Sequence, residues 1–442
     1  MPSGTPVRSI LLCGASVRSL AESAIAAGLR PLCVDFFEDV DLKTLLAHGR
    51  GRFVGRIESF ADLPHVTHSV RSRIPLLWAG GLENHTGVLR AISRRRILIG
   101  ADPDTIDHVR DPVRLRSCLS DSGLKVPRLA TSSSAAADCQ WLRKPFDGSG
   151  GMGIRRHEQS DVRQRNGQAR NHLARDDDST LADRLPQEIR ETEFLQEYID
   201  GVPMSAVCSV ANGRLQLWGM SLQLIGWPGL GASDFLFCGN IGPVDPGEAV
   251  TQDVLAAAKA ISDHMGVIGV FGIDFILREG RAWFLEVNPR LTASHMLFEQ
   301  QIPGQLMREH LTAFGMALVT PRVARSRTRE PEFVTARLIL WAHSDFLVPG
   351  DLDSSLIHAA GRPVRIADVP KPGTTIRQAS PICSVLVRAE SLSAVADIIA
   401  DLKPGRPAGM ATSWDLVGAQ CRLLQLRFKR NISLTLRDTI TN

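Results

Sequence analysis

The chain has no C-x-x-C pair: its eight cysteines, at 13, 33, 118, 139, 208, 238, 383 and 421, stand singly. That argues against zinc cages and a disulfide framework, and it fits a reducing compartment. Aromatic residues make up only 5% of the 442, and no long basic block with interleaved aromatics occurs. Basic and acidic residues number 51 and 47, so the charge excess that marks nucleic-acid binders is absent. Long apolar runs are missing as well. The start, MPSGTPVRSILLCGAS, offers a five-residue apolar stretch, and nothing approaches the roughly 18 residues of a membrane span. The expectation is a cytoplasmic protein without nucleic-acid or membrane partners. Its 44% hydrophobic content can fill large cores, and its length suits several packed modules.

The N-terminus reads as alternating β and α. Ser9–Cys13 is a short apolar strand, Gly14–Ser16 a turn, and Val17–Ala27 a helix with Leu20, Ala24 and Ala27 on one face. Gly28 is its cap, and residues 30–36 form a second strand, giving a βαβ unit with a parallel sheet. Residues 74–77 and 97–99 read as later strands of that sheet. A boundary near residue 100 falls in the Pro- and Asp-rich IGADPDTIDHVRDP. Residues 155–192 carry almost no large apolar side chain and follow no period, so a mobile surface insertion is expected there. Order returns with the strand EFLQEYI, a hairpin turning at Asn212-Gly213 and an amphipathic helix over residues 252–265. Two further strands, 270–277 and 281–287, complete the middle. The resulting division is 1–100, a Rossmann-like parallel-sheet domain; 101–320, a mixed α+β domain; and 331–442, a small α/β unit with a helix over 392–402.

Two constellations carry chemistry. The first is WLRKPFDGSGGMGI, in which Gly148, Gly150 and Gly153 satisfy G-x-G-x-x-G. A dinucleotide site would need a helix next, and RRHEQSDVRQ is not amphipathic. A P-loop would need Gly-Lys-Ser/Thr, and a protein kinase H-R-D and D-F-G; none occurs. What remains is Lys144-Pro145 ahead of a glycine loop whose backbone amides can close over phosphates while Lys144 supplies a point charge. The bland reading is a flexible surface turn.

The second is the hairpin VFGIDFILREGRAWFLEVNPR. A three-residue Arg278-Glu279-Gly280 turn would put Asp274 opposite Phe284, with Glu286 diagonal on the same face. A two-residue turn would separate the carboxylates onto opposite faces, so the longer turn is required. Asp274, Glu286 and Asn288 then offer oxygen ligands suited to Mg²⁺. A solvated polar face is the alternative. The strand FLQEYIDG, with Gln196 and Glu197, ends in Asp200-Gly201 and could present backbone to an adenine edge. Gln223, Asp234 and Asn240 lie in a Gly- and Pro-containing stretch expected to be a substrate loop, or merely a turn; Ser294 and His295 stand likewise. His65 and His68 lack a third ligand and are expected to be incidental.

Taken in order, these elements resemble the ATP-grasp superfamily over roughly residues 100–315. The resemblance implies ATP held between two α+β lobes, with Mg²⁺, or Mn²⁺ in its place. Lys144 matches the lysine on the α/β-phosphates, and Gly148, Ser149, Gly150, Gly151 and Gly153 the loop over them. Gln196, Glu197, Tyr198 and Ile199 match the strand that meets adenine, and Asp274, Glu286 and Asn288 the metal ligands. Arg290 matches the arginine aimed at the transferred phosphoryl group or an acylphosphate. Two departures stand out: Asp111-Pro112 replaces a usual Asp-Lys, with Arg114 as a substitute cation, and Met204 takes the place of a ribose-binding acid.

CGASVRSLAESAIAAGLRPLCVDFFEDVD looks like the N-terminal domain of predicted ATP-dependent carboligases related to biotin carboxylase, and RIADVPKPGTTIRQASPICSVLVRA like the C-terminal unit of such folds. Some of these carboligases accompany tetrahydromethanopterin-linked one-carbon metabolism, and tyramine–glutamate ligase is a relative. The implied activity is a carboxylate–amine ligase acting through an acylphosphate on small-molecule acid and amine substrates, in a homodimer. The alternatives are biotin-carboxylase-like or kinase-like phosphoryl transfer, and a nucleotide-binding module without catalysis.

Overall fold

Short apolar runs without alternation need cover on both faces, which a parallel sheet flanked by helices provides. In the computed structural model of the chain, such a sheet is formed by β1 (Ser9–Cys13), β2 (Arg30–Asp35), β3 (Arg52–Arg56), β4 (Leu76–Trp78) and β5 (Leu98–Ile99). They pair in parallel in the order β3-β2-β1-β4-β5. Ile10, Leu11 and Leu12 are fully buried between helices on the two faces. The helix after β1, Arg18–Ala26, is one residue shorter at each end than the sequence suggests. Gly28, at φ 85°, turns the chain out of it. The expected βαβ unit is present.

The structure describes residues 5–130, 139–157, 192–299, 303–318, 333–348, 357–359 and 362–401. Most of the expected surface insertion, residues 158–191, and the end of the C-terminal unit, 402–442, lie outside them. Among the described residues no helix is long and apolar enough to cross a membrane.

A second, four-stranded sheet is built from β6 (Leu129–Ala130), β7 (Trp141–Pro145), β8 (Arg155–Arg156) and β9 (Glu193–Glu197), in the order β6-β9-β7-β8. The third sheet is antiparallel and has nine strands. They are β10 (Val202–Ala211), β11 (Arg214–Ile225), β12 (Phe237–Val244), β13 (Gly269–Arg278), β14 (Arg281–Asn288), β15 (Val334–Trp341), β16 (Ile357–Ala359), β17 (Arg362–Ala367) and β18 (Pro381–Ala389). Their order is β14-β13-β10-β11-β12-β15-β18-β17-β16. The C-terminal strands, expected as a separate small unit, extend the same sheet beyond β12.

Alternation decides what each face of this sheet does. Met204, Ala206, Leu222, Phe271, Ile273 and Leu338 point to one side, in the core that also holds Val254, Ala257 and Ile261 of the helix Glu248–Met265. The other side carries a polar row. Glu286 lies opposite Asp274, Asp274 opposite Ser205, and Ser205 opposite Ser221. The row continues with Gln223 opposite Asn240 and Asn240 opposite Arg337. Burying apolar groups on one face gathers the polar ones on the other, where Ser205, Ser221 and Asn240 are buried and bonded to one another. The stretch around Gln223 and Asn240, expected to be a loop, is mostly strand; only residues 226–236 connect β11 to β12.

Candidate functional site

The β13–β14 hairpin corrects the expected turn. Arg278 pairs with Arg281, so the turn has two residues, Glu279 at φ 51° and Gly280 at φ 68°. Both are left-handed, as a tight hairpin with the native strand twist demands. Glu is seldom read as a left-handed residue, which is why the sequence suggested a longer turn. The two-residue turn should have put the carboxylates on opposite faces. A bulge prevents this: Phe275 pairs with Phe284 but Asp274 pairs with Glu286, so Leu285 is the extra residue. Asp274 therefore faces Glu286 directly rather than Phe284, and Phe284 joins Phe275 in the core.

Around this pair the bonding is specific. Gln223 Nε2 donates to Asp274 Oδ1 at 3.0 Å, and Asn288 Nδ2 to Asp274 Oδ2 at 3.1 Å. Burial first, then the opposing Glu286, raises the Asp274 carboxyl well above the ordinary range. Desolvation opposes the charge on Glu286, but Lys144 and Arg110 outweigh it and hold its pKa low. Two facing carboxylates need a shared proton or a cation. Among the described residues no group of three or more His, Cys, Asp or Glu is assembled, so a soft or tetrahedral metal has no ligand set. Two carboxylates with the Asn288 amide form an oxygen set that fits a hard cation such as Mg²⁺.

Lys144 lies on β7 opposite Phe194 of β9, 8% exposed. Its Nζ donates to Gln196 Oε1 at 3.2 Å, so Gln196 positions the ammonium in addition to lying on the expected adenine strand. The glycine loop follows at once. Gly150, Gly151 and Gly153 take φ of 61°, 80° and 78°. Gly150 O accepts from Phe237 N at 2.9 Å, and a Cβ on Gly151 would stand 1.9 Å from Phe235 O. The loop packs on the connection that carries Asp234, which is why no side chain fits at 151. Ser149 O accepts from Met152 N within the same turn.

The strand matched to adenine binding is held by its neighbours. The Glu197 carboxylate is taken by the backbone amide and guanidinium of Arg128, at 3.0 and 3.1 Å. The Glu197 amide donates to Arg128 O and the Tyr198 amide to Gln140 O. Glu197 thus braces β9 from outside, and Ile199, two residues on, is buried. Arg156 stacks over the Tyr198 ring, 4.4 Å from its centre.

Arg290 brings in residues that the sequence reading missed. Its Nε and Nη2 both donate to Glu83 Oε1, at 3.1 and 2.6 Å, and Nη2 also reaches Asn288 Oδ1 at 3.4 Å. Glu83, 3% exposed, belongs to the turn after β4 of the parallel sheet. In the same turn a Cβ on Gly80 would press on the guanidinium at 3.3 Å, and Asn84 Nδ2 donates to Asp147 O ahead of the glycine loop. The N-terminal domain therefore forms one wall of the site. No local pattern marks GGLEN; its role depends on a contact with a residue 207 positions away.

Of the remaining candidates, Asn240 is buried and bonds Ser205 and Ser221 at 3.3 and 3.2 Å, which makes it part of the sheet's polar row. Asp234 is exposed at φ 49° in the connection. His295 Nδ1 bonds Thr292 O at 2.7 Å, and Ser294 Oγ bonds Thr292 Oγ1 at 2.8 Å. His68 Nδ1 meets Arg95 Nη1 at 2.8 Å, away from the site. Met204 is buried in the core, so nothing acidic stands there. Arg114 is exposed and folds back on Asp111 at 3.4 Å.

Among curated proteins no sequence matches the chain. The family model of the ATP-grasp domain matches residues 109–294. A biotin carboxylase–β,γ-ATP complex from Campylobacter jejuni is similar in structure at TM-score 0.62 and 14% identity, over 93% of this chain and 95% of that one. An L-amino acid ligase from Bacillus licheniformis gives 0.57 and 13%, over 88% and 95%. N5-carboxyaminoimidazole ribonucleotide synthetase from Thermus thermophilus gives 0.58 and 13%, over 89% and 97%. The chain has the ATP-grasp fold, with an N-terminal parallel sheet and antiparallel sheets after it.

Proposed function

We propose that the protein is an ATP- and Mg²⁺-dependent carboxylate–amine ligase. The observation that carries this reading is the convergence on one cleft of Lys144, the Asp274–Glu286 pair and Arg290, with no nucleophilic side chain among them. Mg²⁺ on Asp274, Glu286 and Asn288 would neutralise charge across the β- and γ-phosphates. Lys144 holds phosphate oxygens from the opposite wall, and the glycine loop excludes water. A substrate carboxylate oxygen bonds to the γ-phosphorus as the bond to ADP breaks. Arg290, held at its angle by Glu83, balances the charge of the acylphosphate. The amine nitrogen then bonds to the acyl carbon, phosphate leaves, and the amine loses one proton. Positioning and electrostatics supply the rate.

A second reading is carboxylation, with bicarbonate as the acid that is phosphorylated. The coverage of 93% of this chain by the biotin carboxylase likeness favours keeping it. The resemblance to carboligases of one-carbon metabolism puts pterin- and furan-type compounds in the substrate screen beside amino acids. Screening acid and amine pairs for ADP release, then repeating the active pair with Glu286→Gln, tests the proposal. Amine-dependent ADP release should be lost in the variant; its persistence would remove Glu286 from the site. An amide product supports the ligase, and a carboxylated product the second reading.

A further inference from the structure

We propose that Arg110 is a phosphate-binding cation of the nucleotide site, taking over from the lysine displaced by Pro112; this rests on the nucleotide reading above. Arg110 is the last residue of the helix Pro103–Arg110, and Asp111 caps the next helix, Pro112–Asp121, by accepting from the amides of Val113 and Arg114. Pro112 at the first position of that helix costs no backbone bond and offers no cation of its own. The two-helix junction holds the Arg110 backbone rigidly, and the side chain runs toward the glycine loop. Its Nη2 donates to Gly148 O at 2.9 Å and to Phe146 O at 3.4 Å.

Only this one nitrogen is used: Nε and Nη1 have no hydrogen-bond partner among the described residues. The guanidinium also lies close enough to Glu286 and to Glu83 to favour the charge of both. It thus stands between the base of the glycine loop, the carboxylate pair and the residue that orients Arg290. A planar fork with spare donors at that place suits two oxygens of one phosphate, which an ammonium does not grip bidentately. The same group braces the carbonyls of Phe146 and Gly148. Filling the phosphate site and fixing the loop are therefore tasks of one side chain. Arg114, the other nearby cation, faces solvent and its own helix cap.

The experiment compares MgADP with adenosine, which lacks the phosphates. Affinities are measured by calorimetry, with displacement for adenosine, on the wild type and on Arg110→Met, Arg110→Lys and Arg114→Met. Arg110→Met should weaken MgADP about ten- to hundredfold while adenosine stays within about twofold, which also shows that the variant is folded. Arg110→Lys should regain part of the loss, and Arg114→Met should change neither ligand. Unchanged MgADP affinity in Arg110→Met, an equal loss for adenosine, or a loss confined to Arg114→Met overturns the proposal. A folded wild type that binds no MgADP overturns the nucleotide reading itself, and this assignment with it.

Discussion

Asp274 on β13 and Asp368 just past β17 are both half-buried carboxylates of the large sheet, and their neighbours treat them in opposite ways. Asp368 accepts from Arg18 Nε at 2.7 Å, from Arg337 Nη2 at 3.1 Å and from Ser384 Oγ. Burial works against its charge, but the two guanidiniums outweigh that and push its pKa far below the ordinary range. Asp274 receives only neutral amides from Gln223 and Asn288 and faces a second carboxylate. The protein neutralises the first group itself and leaves the second short of positive charge. A buried acid with its own cations is structural; one facing another acid in a cleft waits for a ligand.

Removing each acid breaks the comparison most sharply. Asp368→Ala strands Arg18, 1% exposed, and Arg337 without their shared partner. A loss of about 3–5 kcal/mol is expected in denaturant unfolding. Asp274→Asn, measured without metal, should lie within about 1 kcal/mol of wild type or above it, because it relieves repulsion from Glu286. Equal losses for the two variants would erase the distinction.

A smaller effect sharpens it. Asp39 lies near Asp368, and burial, reinforced by Asp368, Asp35 and Asp41, pushes its carboxyl up to about 8. The unfolded chain releases this proton near the ordinary 3.8, the folded chain only near 8. Between those values the folded state holds the extra proton, so this group lowers stability progressively as pH rises across the window, and no further above it. Asp39→Asn should remove that slope, stabilising the protein by about 1–3 kcal/mol at pH 8 and little at pH 4. Melting temperatures at the two pH values check it. A variant no more stable at pH 8 would mean that Asp39 is charged and compensated.

Much of the architecture was legible because it rests on local rules. The apolar run Ser9–Cys13 reappears as a strand residue for residue, and Asn212-Gly213, at φ 52° and 71°, makes the expected hairpin turn. The glycine loop and Lys144 could be placed for the same reason. What failed depended on single residues acting against habit or on distant contacts. Glu279 in a left-handed turn and the bulged Leu285 change the strand register by two compensating steps; reading either alone puts the carboxylates on opposite faces. Glu83 and Arg110 carry no motif, since their importance lies in Arg290 and Gly148, far along the chain. The C-terminal strands read as a separate unit because strand pairing across residues 244–334 leaves no trace in either segment.

The central claim is that the Asp274–Glu286 pair exists to hold a cation that carries nucleotide phosphates. Titrating ADP with and without Mg²⁺ into the wild type and Asp274→Asn tests it directly. Mg²⁺ should tighten ADP binding to the wild type, and the substitution should remove about a hundredfold of that gain while leaving metal-free ADP unchanged. An Asp274→Asn protein that keeps the full Mg²⁺-dependent gain would contradict the account.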